Sequence, residues 1–482
     1  MPYLYNSSTL RILITLFIIC FFIVFAIQPF KWLLISREMR LTPKSRLYSQ
    51  WLKPTIPIFI QFYFFNLTNP LEFQSGKMPI LKQIGPYTYH EKRSKVNVTH
   101  YLNNGTLEYH ERIQYYFDKN SSIGHEMDKI TSVNLGFIGI ASKLSSLPLP
   151  IDFLVEIIEL YNNYKLFQTR TVKELLWGYK DEFLSILSNY GINVSMTNIG
   201  ILLNRNNTIS DKIVIKDGVR DQKLLGKIVS FHGNKVLSYW TTPTANMING
   251  SDGTMFHPFI HKEDEIYVFA KELCRSVQLS FYSESKVDNL PVFKYILAED
   301  TFKSAKTYER NKGFCLNRSN CFNDGVLDMS TCQPNAPIVV SQAQLLNADE
   351  IYQNAVGGIH PTDEFNTTVY IEPNTGVIIS AQSKFQVNIV VRKNQKMKQL
   401  SQLPDLSLLP LVYFNESADL RNSSIIELIK IIVKGPDIIQ QILICILVII
   451  VAILCSILLR PFVLNRRSVS GEMEQLLGSH EK

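Results

Sequence analysis

Four of the seven cysteines, Cys274, Cys315, Cys321 and Cys332, stand within one stretch of the 482-residue chain, and their chemistry is the first thing the sequence poses. A zinc site needs CxxC or CxxH pairs with matching histidines, and none occurs. Disulfides in an oxidising compartment are the better reading, with three connectivities open to four thiols. If Cys274 bonds Cys332, the loop it closes is worth about 4 kcal/mol of chain entropy. His257 and His261 are four apart, but Pro258 between them denies the pair a common helical face for a metal. His90, His100 and His110 fall on a predicted hairpin. His90 and His100 share parity, hence a face if no bulge intervenes, which leaves a solvent-facing or an acid-sensing role. No Gly-x-Ser-x-Gly elbow, P-loop or HExxH motif is present, and Gly250-Ser251-Asp252-Gly253 has the wrong spacing for a nucleophile. Enzymatic chemistry is therefore not expected.

Two other patterns mark the chain for modification and for sorting. Eleven Asn-x-Ser/Thr sequons, at Asn66, Asn97, Asn104, Asn120, Asn193, Asn206, Asn249, Asn317, Asn366, Asn415 and Asn422, fall between two apolar segments and point to a glycosylated lumenal surface. Near the C-terminus, Glu472-Met473-Glu474-Gln475-Leu476-Leu477 has the form of an acidic dileucine signal. Leu476 and Leu477 would fill an apolar pocket of a cytosolic clathrin adaptor, and Glu472 would meet a basic patch.

The elements that carry these residues follow from where the apolar side chains lie. The chain is 46% hydrophobic and 19% charged, which excludes disordered and collagenous classes. Its net charge of +7 is diffuse, with no run of basic residues, so no nucleic-acid partner is expected. Ile12 to Ile27 carries no charge, and apolar character resumes to Ile35, enough to cross a bilayer core of about 30 Å. No small-x-small cleavage site follows, so residues 12–35 read as a transmembrane signal anchor rather than a removed signal peptide. Ile438 to Leu459 reads as a second span. The organisation is then a cytosolic tail 1–11, the span 12–35, a lumenal body 36–437, the span 438–459, and a cytosolic tail 460–482. Lys31, Arg37, Arg40, Lys44 and Arg46 after the first span oppose this orientation, but long loops translocate largely regardless of charge. The sequons and lumenal cysteines decide it.

The body reads mainly as β. Residues 56–67, rich in aromatic and β-branched side chains, end at Thr68-Asn69-Pro70, and 87–101 with 106–117 flank Asn103-Asn104-Gly105 as a hairpin. Further strands are predicted at 212–216, 226–231, 235–241, 265–269, 277–282, 292–297, 368–372, 376–380 and 384–392, the count of a barrel or sandwich. Residues 132–189 change to helical spacing, with Phe153, Leu154, Ile157, Ile158 and Tyr161 in one stripe and Val172, Leu175, Leu176 and Tyr179 in another. A helical bundle inserted in a β body is the simplest reading.

Several stretches, in order along the body, resemble the class B scavenger receptors. They are Gln61 to Pro70, Gly85-Pro86-Tyr87-Thr88-Tyr89, Thr171 to Glu182, Asn246-Met247-Ile248-Asn249-Gly250, Phe256-His257-Pro258 and Lys384 to Ile389. Four lumenal cysteines and the tail dileucine make the chain most similar to the branch of the lysosomal integral membrane protein type two. The resemblance implies the pairings Cys274–Cys332 and Cys315–Cys321. It also implies an antiparallel β-barrel with a hydrophobic tunnel and a membrane-distal helical bundle. In that branch the bundle carries newly made β-glucocerebrosidase to lysosomes, and the tunnel is associated with cholesterol and phospholipid. Carried over here, the cargo-binding helix is about 151–167, with Asp152, Phe153, Leu154, Glu156, Ile157, Ile158 and Tyr161 facing a lumenal hydrolase. No histidine lies in that helix, which argues against acid-triggered release through it. The expected function is a lysosomal or endosomal membrane receptor, with lipid transport through the tunnel as the alternative and a channel subunit as a remote third. No cofactor or metal is expected beyond bound cholesterol or phospholipid, and a homo-oligomer is left open.

Overall fold

The fold is taken from a computed structural model that describes residues 7–143, 164–189, 197–316, 321–333, 337–421 and 423–478, with the side chains of 7–10, 143, 458 and 460–478 outside the description. These residues divide into a pair of terminal helices and a body, Met39–Ser423.

The helices are α1 (Ser7–Glu38) and α8 (Ser424–Gly478). Both contain stretches long and apolar enough to cross a membrane, Arg11–Glu38 and Ser424–Ile457. Their polar side chains meet each other. Lys31 Nζ lies 2.8 Å from Asp437 Oδ2, and Gln28 Nε2 donates to Asp437 Oδ1 at 3.1 Å and to Gln440 Oε1 at 2.7 Å. Lys31, one of the basic residues on the unexpected flank of the first span, is therefore neutralised by a partner on the other helix. Polar pairs between membrane helices couple by about 0.6–1.7 kcal/mol. A double-mutant cycle of Lys31→Ala and Asp437→Ala, read by unfolding the full chain in mixed micelles, is expected to return a coupling in that range; purely additive losses would show that the pair does not join the helices.

In the body, the strands are β1 (Ile58–Leu67), β2 (Leu81–Tyr101), β3 (Thr106–Phe117), β4 (Lys129–Val133), β5 (Phe167–Thr171), β6 (Tyr179–Lys180), β7 (Asn198–Ile199), β8 (Ile213–Lys216) and β9 (Ile228–Phe231). They continue as β10 (Ile266–Ala270), β11 (Arg275–Val287), β12 (Leu290–Leu297), β13 (Val326–Asp328), β14 (Ile338–Gln342), β15 (Thr368–Glu372), β16 (Val377–Arg392) and β17 (Leu406–Asp419). Thirteen of these form one antiparallel sheet in the order β10-β11-β12-β15-β16-β17-β1-β2-β3-β8-β9, with β13 and β14 attached beside β16. The sheet curls nearly into a barrel, as expected for a mainly β body with inserted helices. Period-2 alternation sends Phe62, Phe64, Tyr87 and Tyr89 to the interior, where all four are almost fully buried.

The body's helices are α2 (Arg46–Leu52), α3 (Pro70–Gln74), α4 (Leu135–Lys143), α5 (Val172–Trp177), α6 (Glu182–Asn189) and α7 (Glu350–Gln353). Within the 132–189 interval, α4, α5 and α6 are helical as the periodicity requires, but β4 and β5 pair there, Lys129 opposite Thr171 and Val133 opposite Phe167. Thr171 then caps α5: its hydroxyl accepts from Glu174 N, and Glu174 returns a bond to the Thr171 N–H, while Gly178 at φ 111° ends the helix. Val172, Leu175 and Leu176 bury against the barrel wall in the same core as Phe62 and Tyr89.

The structure departs from the strand predictions in several places: 376–380 and 384–392 are one strand, β16, and β13, β14 and β17 lie outside the predicted set. Residues 235–241 form no strand, because their polar backbone is satisfied locally: Leu237 N and Trp240 N donate to Asn246, whose Nδ2 donates back to Trp240 O. Conversely, β17 is a full central strand containing Pro410, tolerated because the β16–β17 register shifts between Val387 and Asn388, beside it.

Candidate functional site: the barrel seam and the charges that cross it

The sheet path ends at β9 and β10, and a loop segment closes the gap between them. Ile228 N donates to Gly250 O at 2.9 Å, Ser251 N to Tyr267 O at 3.2 Å, and Phe269 N to Ser251 O at 2.8 Å. Gly250-Ser251 therefore serves both edges, which would otherwise expose unpaired backbone. Gly250 is required on two counts. Its φ is +80°, and a Cβ there would stand 1.8 Å from Tyr267 O.

Asp252 anchors this stitch to the opposite wall. Its Oδ2 accepts from Tyr109 Oη at 2.6 Å and from Lys95 Nζ at 3.2 Å, and its Oδ1 accepts from Thr254 N at 3.0 Å. Lys95 also meets Glu111 Oε1 at 2.8 Å, and Glu111 Oε2 meets Lys271 Nζ, just after β10, at 3.1 Å. A chain of alternating charge thus runs from the seam to β2 and β3 and back. Burial alone would push the Glu111 carboxyl up, but Lys95, Lys271 and Arg93 outweigh it and hold it far below the usual carboxylate range. Asp252, also penalised by burial, is lowered chiefly by Lys95.

Adjacent on the same inner face, Arg93 reaches Glu91 on its own strand and Glu416 on β17, the latter at 2.9 Å. Here burial wins: it pushes Glu91 up to about 7, against the pull of Arg93 and with the help of Glu416. The signal for these residues was present in the sequence. Glu91, Arg93 and Lys95 are in phase with Tyr87 and Tyr89, so the alternation that buries the tyrosines also buries the charges.

The disulfides are Cys274–Cys332 and Cys315–Cys321, with Cα–Cα distances of 6.2 and 5.5 Å. These are the pairings the resemblance implied, and both separations are ordinary for a disulfide. Trp240 Nε1 donates to Cys274 O at 2.6 Å, packing the longer bridge into a small core with Leu273 and Phe302. The histidines form no common site among the described residues. His257 Nδ1 contacts Pro258 O, and His110 Nδ1 contacts Ser210 O. A bulge in β2 between Val96 and Thr99 pairs His90 with Tyr116 but His100 with the inward Leu107, so His90 and His100 lie on opposite faces despite their shared parity.

Other candidate residues fall as follows. Asp152, Phe153, Leu154, Glu156, Ile157, Ile158 and Tyr161 lie outside the described residues, as do Asn193, Asn317 and Asn422. Asn97, Asn104, Asn120 and Asn206 are exposed, whereas Asn66, Asn249, Asn366 and Asn415 are half-buried. Asn66 Oδ1 accepts from Thr131 N, and Asn415 Nδ2 donates to Gln61 Oε1 at 3.3 Å. The backbone of Glu472, Leu476 and Leu477 belongs to α8, and their side chains are outside the description. A cavity of about 310 Å³ has a mixed lining, with Glu299, Lys303 and Asp324 beside Phe302, Leu346 and Ala348.

The model of the CD36 family matches residues 10–460, which takes in the whole body and both apolar segments. The chain belongs to the CD36 family. Among its relatives, lysosome membrane protein 2 of Mus musculus is 37% identical over 86% of this chain and 85% of its own. Lysosome membrane protein 2 of Homo sapiens is 34% identical over 90% and 91%. Scavenger receptor class B member 1 of Sus scrofa is 27% identical over 90% and 84%. The higher identity to the lysosomal proteins agrees with the branch to which the sequence motifs pointed.

Proposed function

We propose that this CD36 family protein is a receptor of the lysosomal membrane that binds a lumenal hydrolase of the β-glucocerebrosidase kind on its helical bundle and accommodates cholesterol or phospholipid in its barrel. The observation that carries this reading is the similarity to lysosome membrane protein 2 along a continuous match, from before the first apolar segment to the end of the second. Two disulfides and exposed sequons suit an oxidising lumen. Both termini would then be cytosolic, and Glu472, Leu476 and Leu477 would meet a clathrin adaptor.

The reading is tested by location and by cargo together. Leu476→Ala with Leu477→Ala is expected to move the full chain from lysosomes to the cell surface; continued lysosomal residence would remove the sorting claim. Pulldown at neutral pH should recover the hydrolase, and Ile157→Asp with Ile158→Asp should lose it. The similarity to scavenger receptor class B member 1 supports lipid transport as the second reading. Reconstituted vesicles separate the two, since a receptor that only carries protein moves no lipid.

A further inference from the structure

Glu91 and Glu416 approach one guanidinium from two strands that flank β1. Ile58 of β1 stands opposite Glu91, and Ile60 stands opposite Glu416, so no titratable group of β1 shares the site. Glu91 is almost fully buried, and its Oε1 has no hydrogen-bond partner, while its Oε2 is taken by Arg93. The groups facing Glu91 are Arg93 on its own strand, Glu416 on β17, and Glu111 with the opposing Tyr115 on β3; Glu272 lies near enough to act on Tyr115. Lys95 is committed to Glu111 and Asp252. Two carboxylates therefore compete for one arginine, and Glu111, the next charge that acts on Glu91, is also negative and already paired with Lys95 and Lys271.

We propose that Glu91, Arg93 and Glu416 form an acid-responsive latch on the inner wall of the barrel, in which one proton taken from solvent by Glu91 draws β2 and β17 together across β1. With both carboxylates ionised the cluster carries a net negative charge, Glu91 buried and Glu416 reaching partly into solvent. Uptake of one proton makes it neutral, removes the repulsion between Glu91 and Glu416, and leaves the guanidinium to Glu416. Burial pushing Glu91 up to about 7 puts this event between neutral and mildly acidic pH. The chemistry stands wherever the chain resides; its use on arrival in an acidic compartment rests on the lysosomal reading.

The test uses the purified full chain in lipid nanodiscs. Infrared difference spectra between pH 8 and pH 5 should show a protonated carboxyl band that titrates near neutrality and is absent from Glu91→Gln. Glu416→Gln frees Arg93 for Glu91 and should move the band's midpoint to lower pH. Backbone amides of 58–61 and 415–418, corrected for intrinsic exchange, should exchange more slowly at pH 5 than at pH 8 by about tenfold or more, since each pH unit below the carboxyl's midpoint adds up to a factor of about ten. A band that persists in Glu91→Gln, or a midpoint unmoved in Glu416→Gln, overturns the latch, and the second variant decides alone if the first does not fold. Mislocalisation in the dileucine experiment bears on the receptor reading and leaves this one untouched.

Discussion

Replacing Gly250 with Ala is expected to abolish the closed barrel, at a cost of about 4 kcal/mol or more, a size reserved for a few mechanisms. The added Cβ would lie 1.8 Å from Tyr267 O and 2.3 Å from Tyr267 C, both backbone atoms of β10. Relief would require the seam to part, giving up the bonds from Ser251 N and Phe269 N. Left-handed strain adds about 1–2 kcal/mol for any L-residue with a Cβ. Gly233→Ala isolates that smaller part, because Gly233 has φ +81° and nothing within 4 Å of the added atom. Denaturant unfolding of both variants should show a loss for Gly233→Ala near the strain value alone, and for Gly250→Ala either a several-fold larger loss or no folded protein. Equal shifts would mean that Gly250 is needed only for its backbone angle, and that the seam tolerates a side chain.

The same seam shows what could be read from the sequence and what could not. Strand existence was legible wherever alternation was strong, as in Ile58–Leu67 and Thr106–Phe117, because local side-chain phase decides which face is buried. The disulfide pairing required a family resemblance, since spacing leaves three connectivities. Gly250-Ser251-Asp252-Gly253 was legible as a loop and dismissed as a catalytic motif, but its task depends on β9 and β10 meeting, and neighbours so placed leave no mark on local sequence. His90 and His100 illustrate the same limit: the bulge at Asn97, with φ 54°, reverses the parity that alternation predicts. Residues 235–241 carried a strand-like composition, and the side chain of Asn246, several positions on, claimed their hydrogen bonds instead. In each case a specific tertiary or turn contact, or one inserted residue, outweighed the alternation pattern.

Glu111→Gln should destabilise the body by about 3–5 kcal/mol, because it strips the buried Lys95 ammonium and the partly exposed Lys271 ammonium of the carboxylate they share. Lys95 and Glu111 are both nearly inaccessible, so water cannot take over the lost interaction. Because Lys95 and Glu111 share one interaction, Lys95→Met combined with Glu111→Leu should cost clearly less than the sum of the two single losses, even though Asp252 and Lys271 each lose a partner; additive losses would show that the pair is not the source. The pH dependence carries a sharper signature. Glu111 is depressed in the folded state, so its contribution is complete above the ordinary carboxylate range and is lost as pH falls through its folded value. Glu91 is raised, so its contribution is complete below the ordinary carboxylate range and is lost as pH rises through about 7. The two limbs fall on opposite sides of roughly pH 5, which places the stability maximum in mildly acidic solution rather than at neutrality. Unfolding midpoints between pH 3 and pH 8 should follow that dome, with Glu91→Gln flattening the neutral limb and Glu111→Gln the acid limb. A monotonic rise toward pH 8 would mean that Glu91 is ionised throughout, and that the barrel interior is wetter than its side-chain packing implies.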